Sequence, residues 1–100
     1  MGDEPRKSRE VTVDGITVAV SIDPADDYEL TELMVTRFDP EASDVERAKA
    51  MLAQNRLVLG KDYERVKAEL RERHGGTLSN AVMGAFVTRV IRGARELKNS

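Results

Sequence analysis

Cysteine and tryptophan are absent from this 100-residue chain, and it holds one histidine and three prolines. Without cysteine there are no disulfides, no thiol nucleophile and none of the common structural zinc sites. A single histidine cannot build a multi-histidine metal centre. Only 4% of the residues are aromatic, which argues against base-stacking platforms and ring-lined sugar clefts. Neither sign of charge dominates: 16 Lys and Arg stand against 18 Asp and Glu, a formal net charge of −2. So balanced a chain is not a whole-surface nucleic-acid binder, and nucleic acid is not an expected partner. No apolar run approaches the roughly 18 residues that span a bilayer. The first ten residues, MGDEPRKSRE, carry no apolar stretch of a secretory signal. The expected setting is the cytoplasm, with no membrane partner.

What is present suffices for a fold. Leu, Ile, Val and Phe make up 24 of the 100 residues, above the roughly 20% below which disorder is expected. Residues 1–9 are polar, of mixed charge and contain Pro5, and read as a disordered leader. A single domain is expected over 10–98.

Residues 10–22 carry the clearest local signal. Val11 and Val13 flank Thr12, and Ile16, Val18 and Val20 alternate with Thr17 and Ala19. Asp14-Gly15 lies between the two runs and suits the positive φ angles of a two-residue type I′ turn. This is a β-hairpin with one β-branched face. A lone hairpin is marginal in water, so something must cover that face.

Four helical patterns follow, giving an α+β class that is mostly helical. The first spans about 26–37, with Tyr28, Leu30, Leu33, Met34 and Val35 facing inward and Asp23 or Asp26 as cap. Asp39-Pro40 stops it. The second spans about 42–55 behind Ser43 or Asp44, with Val45, Ala48, Met51 and Leu52 at spacings of three and four. Leu57-Val58-Leu59 is either its last turn or a buried connection. The third spans about 61–73, with a narrow stripe of Tyr63, Val66 and Leu70, and ends at His74-Gly75-Gly76. The fourth spans about 78–97 behind Thr77 or Ser79. Its wide face of Val82, Met83, Phe86, Val87, Val90 and Ile91 suits the most buried helix or an oligomer contact.

No catalytic constellation emerges, and neither a metal site nor a cofactor site is expected. The acidic cluster Asp23, Asp26, Asp27, Glu29, Glu32 reads as capping and a solvated face, since an EF-hand loop needs a central glycine that is missing here. His74 sits at a helix end with no second base or nucleophile beside it in any recognisable motif. Gly75-Gly76 follows a helix and lacks the lysine of a phosphate loop. Arg89, Arg92, Arg95 and Lys98 suit the negative end of the last helix. The hairpin face and the wide fourth helix exceed what one thin core absorbs, so self-association is expected. The candidate partner-binding residues are Val82, Phe86 and Val90 as an exposed apolar strip, with Arg89 and Arg92 beside it, or else the apolar face of the hairpin.

The order of features is itself informative. A Val-Asp-Gly hairpin is followed by Ile-Asp-Pro-x-Asp-Asp-Tyr-Glu-Leu-x-Glu-Leu over 22–33. Val58-Leu59-Gly60 leads to Lys61-Asp62-Tyr63, then Arg73-His74-Gly75-Gly76, then a last helix with Val82 and Phe86. Over about 10–100 the chain resembles the tail assembly chaperones of long-tailed, siphovirus-type phages and prophages of Gram-positive bacteria. One departure is the charge on the second helix, at Glu46, Arg47 and Lys49. The resemblance implies a non-enzymatic, cytoplasmic assembly factor. Such a factor coats and solubilises the tape measure protein, helps recruit tail tube protein, and is absent from the finished virion. It also implies a longer form made by ribosomal frameshifting, and Leu97-Lys98-Asn99 is compatible with a slippery codon run. The rival readings are a small DNA-binding regulator using the basic last helix, a structural head–tail or neck protein, and an antitoxin-like module.

Overall fold

A computed structural model describes residues 8–99. Strands β1 (Arg9–Val13) and β2 (Ile16–Val20) form an antiparallel hairpin. Helices α1 (Tyr28–Arg37), α2 (Asp44–Leu59), α3 (Tyr63–Arg73) and α4 (Asn80–Asn99) follow, with a 3₁₀ turn at Gly60–Asp62 between α2 and α3. The architecture is α+β and mostly helical. Residues 1–7 of the expected leader lie outside the described residues. Arg9, counted in that leader, instead opens β1: it pairs with Val20 and its guanidinium reaches the Ile22 carbonyl and Asp23.

The hairpin forms as its sequence dictates. Asp14 and Gly15 take φ of 52° and 81°, both in the left-handed region that a type I′ turn needs. Val11 stands opposite Val18, and Val13 opposite Ile16, so all four share one face with Val20. That face is buried. Thr12 and Thr17 meet on the other face, their hydroxyls 2.8 Å apart. The hairpin tip is held from two helices: Arg73 of α3 donates to the Asp14 carbonyl, and Arg89 of α4 to the Asp14 carboxylate at 3.1 Å.

The outer edge of β2 is covered by side chains rather than by a third strand. The Ala19 N–H donates to Asp62 Oδ2 at 2.9 Å, and Arg65 donates to the Thr17 carbonyl. Arg65 also pairs with Asp62 at 3.1 Å. The Ala19 N–H, ahead of the Arg65 guanidinium, holds the Asp62 carboxyl below the ordinary carboxylate range. A lowered native pKa stabilises the fold fully above the unfolded value of about 3.9, and this contribution is lost as pH falls through the lowered value. Asp62→Ala is therefore expected to lose about 1 kcal/mol at neutral pH. The gap between variant and parent should close below about pH 4 in urea unfolding series. A gap independent of pH would assign the loss to packing.

Helix starts follow their caps. Asp27 accepts from the Leu30 N–H at 2.9 Å and sets the start of α1. Ser43 and Glu46 form a reciprocal capping box at the start of α2. Ser79 accepts from the Val82 N–H at 3.1 Å and opens α4.

The interior differs from the sequence expectation in three places. First, α4 and the hairpin cover one another. Met83, Phe86, Val87, Val90 and Ala94 join Val11, Val13, Ile16, Val18 and Val20 in one core with Tyr63, Val66 and Leu70 of α3. The hairpin face and most of the α4 face are thus buried against each other. Second, α1 turns Tyr28 and Val35 outward and buries only Leu30, with Leu33 and Met34 half-buried. Third, α2 is rotated. Val45, Ala48 and Leu52 are exposed, while Ala50, Gln54, Asn55, Val58 and Leu59 are buried. Leu57-Val58-Leu59 is the last turn of α2. Burying Val58 and Leu59 there sets the phase of the whole helix, and positions one turn earlier, Gln54 and Asn55, are carried inward with them.

Candidate partner-binding surface

The five residues expected to meet a partner are placed in two different settings. Phe86 and Val90 are core residues, 2% and 0% exposed. Val82 is half-buried. The expected exposed strip is therefore closed, because the hairpin lies over it. Arg89 is occupied with Asp14 and serves the hairpin tip. Arg92 remains exposed on α4.

The exposed apolar surface lies elsewhere. Among the described residues the large apolar side chains left exposed are Tyr28, Val35, Phe38, Val45, Leu52 and Leu97. Five of these six belong to α1, its C-terminal cap and α2. Two of the chain's four aromatic rings are among them: Tyr28 is 76% and Phe38 66% exposed. Isolated exposed hydrophobics are ordinary on a protein surface, whereas large contiguous patches are characteristic of interaction sites.

Phe38 also borders a cleft of about 280 Å³ between α1, α2 and α4. Met34 and Ile91 give it an apolar floor, and Arg37, Arg92 and Arg95 stand around it. The Arg37 guanidinium lies 5.0 Å from the Phe38 ring centroid and donates to Gln54 Oε1 at 3.1 Å. Gln54 is 2% exposed. Its burial is thus compensated by a charged donor, as a buried amide requires. The aromatic, guanidinium and amide groups form one connected chain from the surface inward, which positions the exposed ring.

His74 is exposed at the end of α3. Among the described residues no group of three or more His, Asp or Glu side chains could hold a metal ion. Among those residues no helix is long and apolar enough to cross a membrane.

Sequence reasoning missed the α1–α2 surface because it assigned Tyr28, Val35, Val45 and Leu52 to the interior and gave Phe38 no face. The available signal was in α2. Its two apolar rows compete, and the unbroken Leu57-Val58-Leu59 run favours the row that continues into it. Comparison with protein families, with curated proteins and with solved structures gives no match.

Proposed function

We infer that the chain is a tail assembly chaperone of the type it resembles, a non-catalytic protein of the host cytoplasm. In this reading it holds a tape measure protein in solution and helps bring tail tube subunits to it. The observation that carries the reading is that five of the six exposed large apolar side chains among the described residues lie on α1, its cap and α2, two helices that pack together. A rod-like, amphipathic client offers many weak apolar stripes, and repeated copies along it gain avidity without strong single contacts. The client-facing residues are Tyr28, Val35 and Phe38, in place of Phe86 and Val90.

Co-expression with the tape measure protein of the same phage or prophage tests this. The parent chain should move the client into the soluble fraction. Tyr28→Gln combined with Phe38→Gln should abolish that effect while changing stability by no more than about 0.5 kcal/mol per site, as exposed substitutions do. A client that stays insoluble with the parent chain, or that is equally soluble with the double variant, overturns the reading. Detection of the chain in purified virions would favour a structural head–tail protein instead.

A further inference from the structure

A second cleft, of about 280 Å³, opens between α2, α3 and the first turn of α4. Its volume lies just below the range of small-molecule sites, which starts at about 300 Å³, and suits inserted side chains. Met51, Leu78 and Met83 supply its apolar wall. The polar groups around it are of an unusual kind.

Asn55 lines this cleft and is 3% exposed. Its side chain makes no hydrogen bond to another described residue. Gln54, its neighbour, shows the usual remedy for a buried amide, a guanidinium donor. Asn55 has no such remedy among the described residues. No fully buried side-chain nitrogen or oxygen among the described residues lacks a partner, so the Asn55 amide retains access at the cleft wall. An amide held there offers two N–H donors and one carbonyl acceptor to whatever enters.

The surrounding charge has one sign. Arg56, Lys67 and Arg71 all line the cleft. Arg56 and Lys67 lie 5.4 and 5.2 Å from the Tyr63 ring centroid. Lys67 pairs with Glu64 at 3.4 Å, whereas Arg56 and Arg71 form no ion pair with a described carboxylate. Ser79 and Asn80, at the start of the 20-residue helix α4, form part of the rim. That end carries partial positive charge and unpaired N–H groups. Cations, amide donors and a helix N-terminus thus converge beside an apolar wall.

We propose that this cleft receives a carboxylate side chain from an acidic amphipathic helix of a partner protein, with Asn55 and Arg71 as its donors. The apolar wall takes the neighbouring apolar side chain of that helix. A nucleic-acid phosphate fits less well: Tyr63 is buried and its ring is occupied by Arg56 and Lys67, so no ring is free for a base. Leu52 lines this cleft as well as belonging to the exposed apolar group on α1 and α2, but the client-facing Tyr28, Val35 and Phe38 do not line it, and its occupancy does not depend on the chaperone reading.

The probe is a labelled amphipathic peptide with Glu and Leu on one helical face, beside the same peptide with Gln for Glu. Binding to the full chain is read by fluorescence anisotropy. The Glu peptide should bind at least about tenfold more tightly than the Gln peptide, the size of one charge-assisted hydrogen bond. It should also shift the Asn55 side-chain amide resonances of isotope-labelled protein. Arg71→Glu places its change on an exposed position, so folding is retained and the Glu-peptide preference should vanish. Absent binding, equal affinity for the two peptides, or a preference unmoved by Arg71→Glu overturns the proposal. So does duplex DNA that displaces the peptide and loses its own binding in the same variant, since phosphate would then be the ligand.

Discussion

Phe86→Ala should lower the unfolding free energy by about 3–5 kcal/mol, whereas Phe38→Ala should change it by about 0.5 kcal/mol or less. The chain has two phenylalanines, and the same substitution at each tests where the interior lies. Phe86 is a member of the core formed by α4, α3 and the hairpin. Removing its ring loses the transfer free energy of the buried atoms and leaves a cavity that a packed interior closes only in part. Phe38 is two-thirds exposed and loses little. Small domains have only about 5–15 kcal/mol of stability, so Phe86→Ala is a large fraction of the total. At about 4–8 °C per kcal/mol for a chain of this size, its Tm should fall by more than about 12 °C. Far-UV circular dichroism during thermal and urea unfolding measures both variants. Similar losses at the two positions would refute the assignment of α4 to the interior. Phe86→Asp would bury a charge without a partner and is expected to unfold the chain, so it cannot serve as a test of partner binding.

Gly93→Val should destabilise by about 1–3 kcal/mol although valine is the better helix former. A Cβ at Gly93 would lie 2.6 Å from Val11 Cγ1 and 3.7 Å from two further Val11 side-chain atoms. The backbone of α4 therefore rests directly on the side chain of β1. Val11 is buried, and its branched side chain has little rotational freedom to yield. Separation of β1 from α4 would disturb the shared core, so the collision is relieved only at a cost. Two controls make the cause specific. Gly84 is also in α4, and a Cβ there meets nothing within 4 Å. Gly84→Ala should instead stabilise by up to about 1 kcal/mol through helix propensity. Combining Gly93→Val with Val11→Ala should cost less than the sum of the two single changes. The coupling measured in a double-mutant cycle should be at least about 0.5 kcal/mol. Additive effects would show that the close approach is not what makes glycine necessary at 93.

Some of this molecule could be read from local pattern because local physics decides it. A strand has two faces, and when β-branched residues occupy one of them, as at Val11, Val13, Ile16, Val18 and Val20, the buried side follows at once. Asp14-Gly15 selects its turn through backbone sterics alone. Ser43 and Glu46 form a capping box within four residues. In α3 a single stripe of Tyr63, Val66 and Leu70 leaves no alternative face.

The candidate surfaces were not readable in this way. In α2 the row Val45, Ala48, Leu52 and the row Ala50, Val58, Leu59 offer comparable apolar content. Periodicity cannot choose between them. Anchoring Leu59 in the interior ahead of the turn at Gly60–Asp62 decides it, and the choice exposes Leu52 and buries Asn55. The expected partner strip on α4 failed for the related reason that an apolar face does not announce its neighbour. The hairpin arrives from more than sixty positions earlier in sequence and covers it.

Sequence alone thus determined the hairpin, its turn and the inward stripe of α3, since each rests on sterics or patterning a few positions apart; the cap of α1, expected at Asp23 or Asp26, is Asp27. Tertiary structure alone decided which face of α2 is buried, that Phe86 is interior while Phe38 is not, and that Asn55 meets a cleft lined with cations. Each of those depends on how much apolar surface distant elements remove from water together, a sum over the whole core that no local window contains.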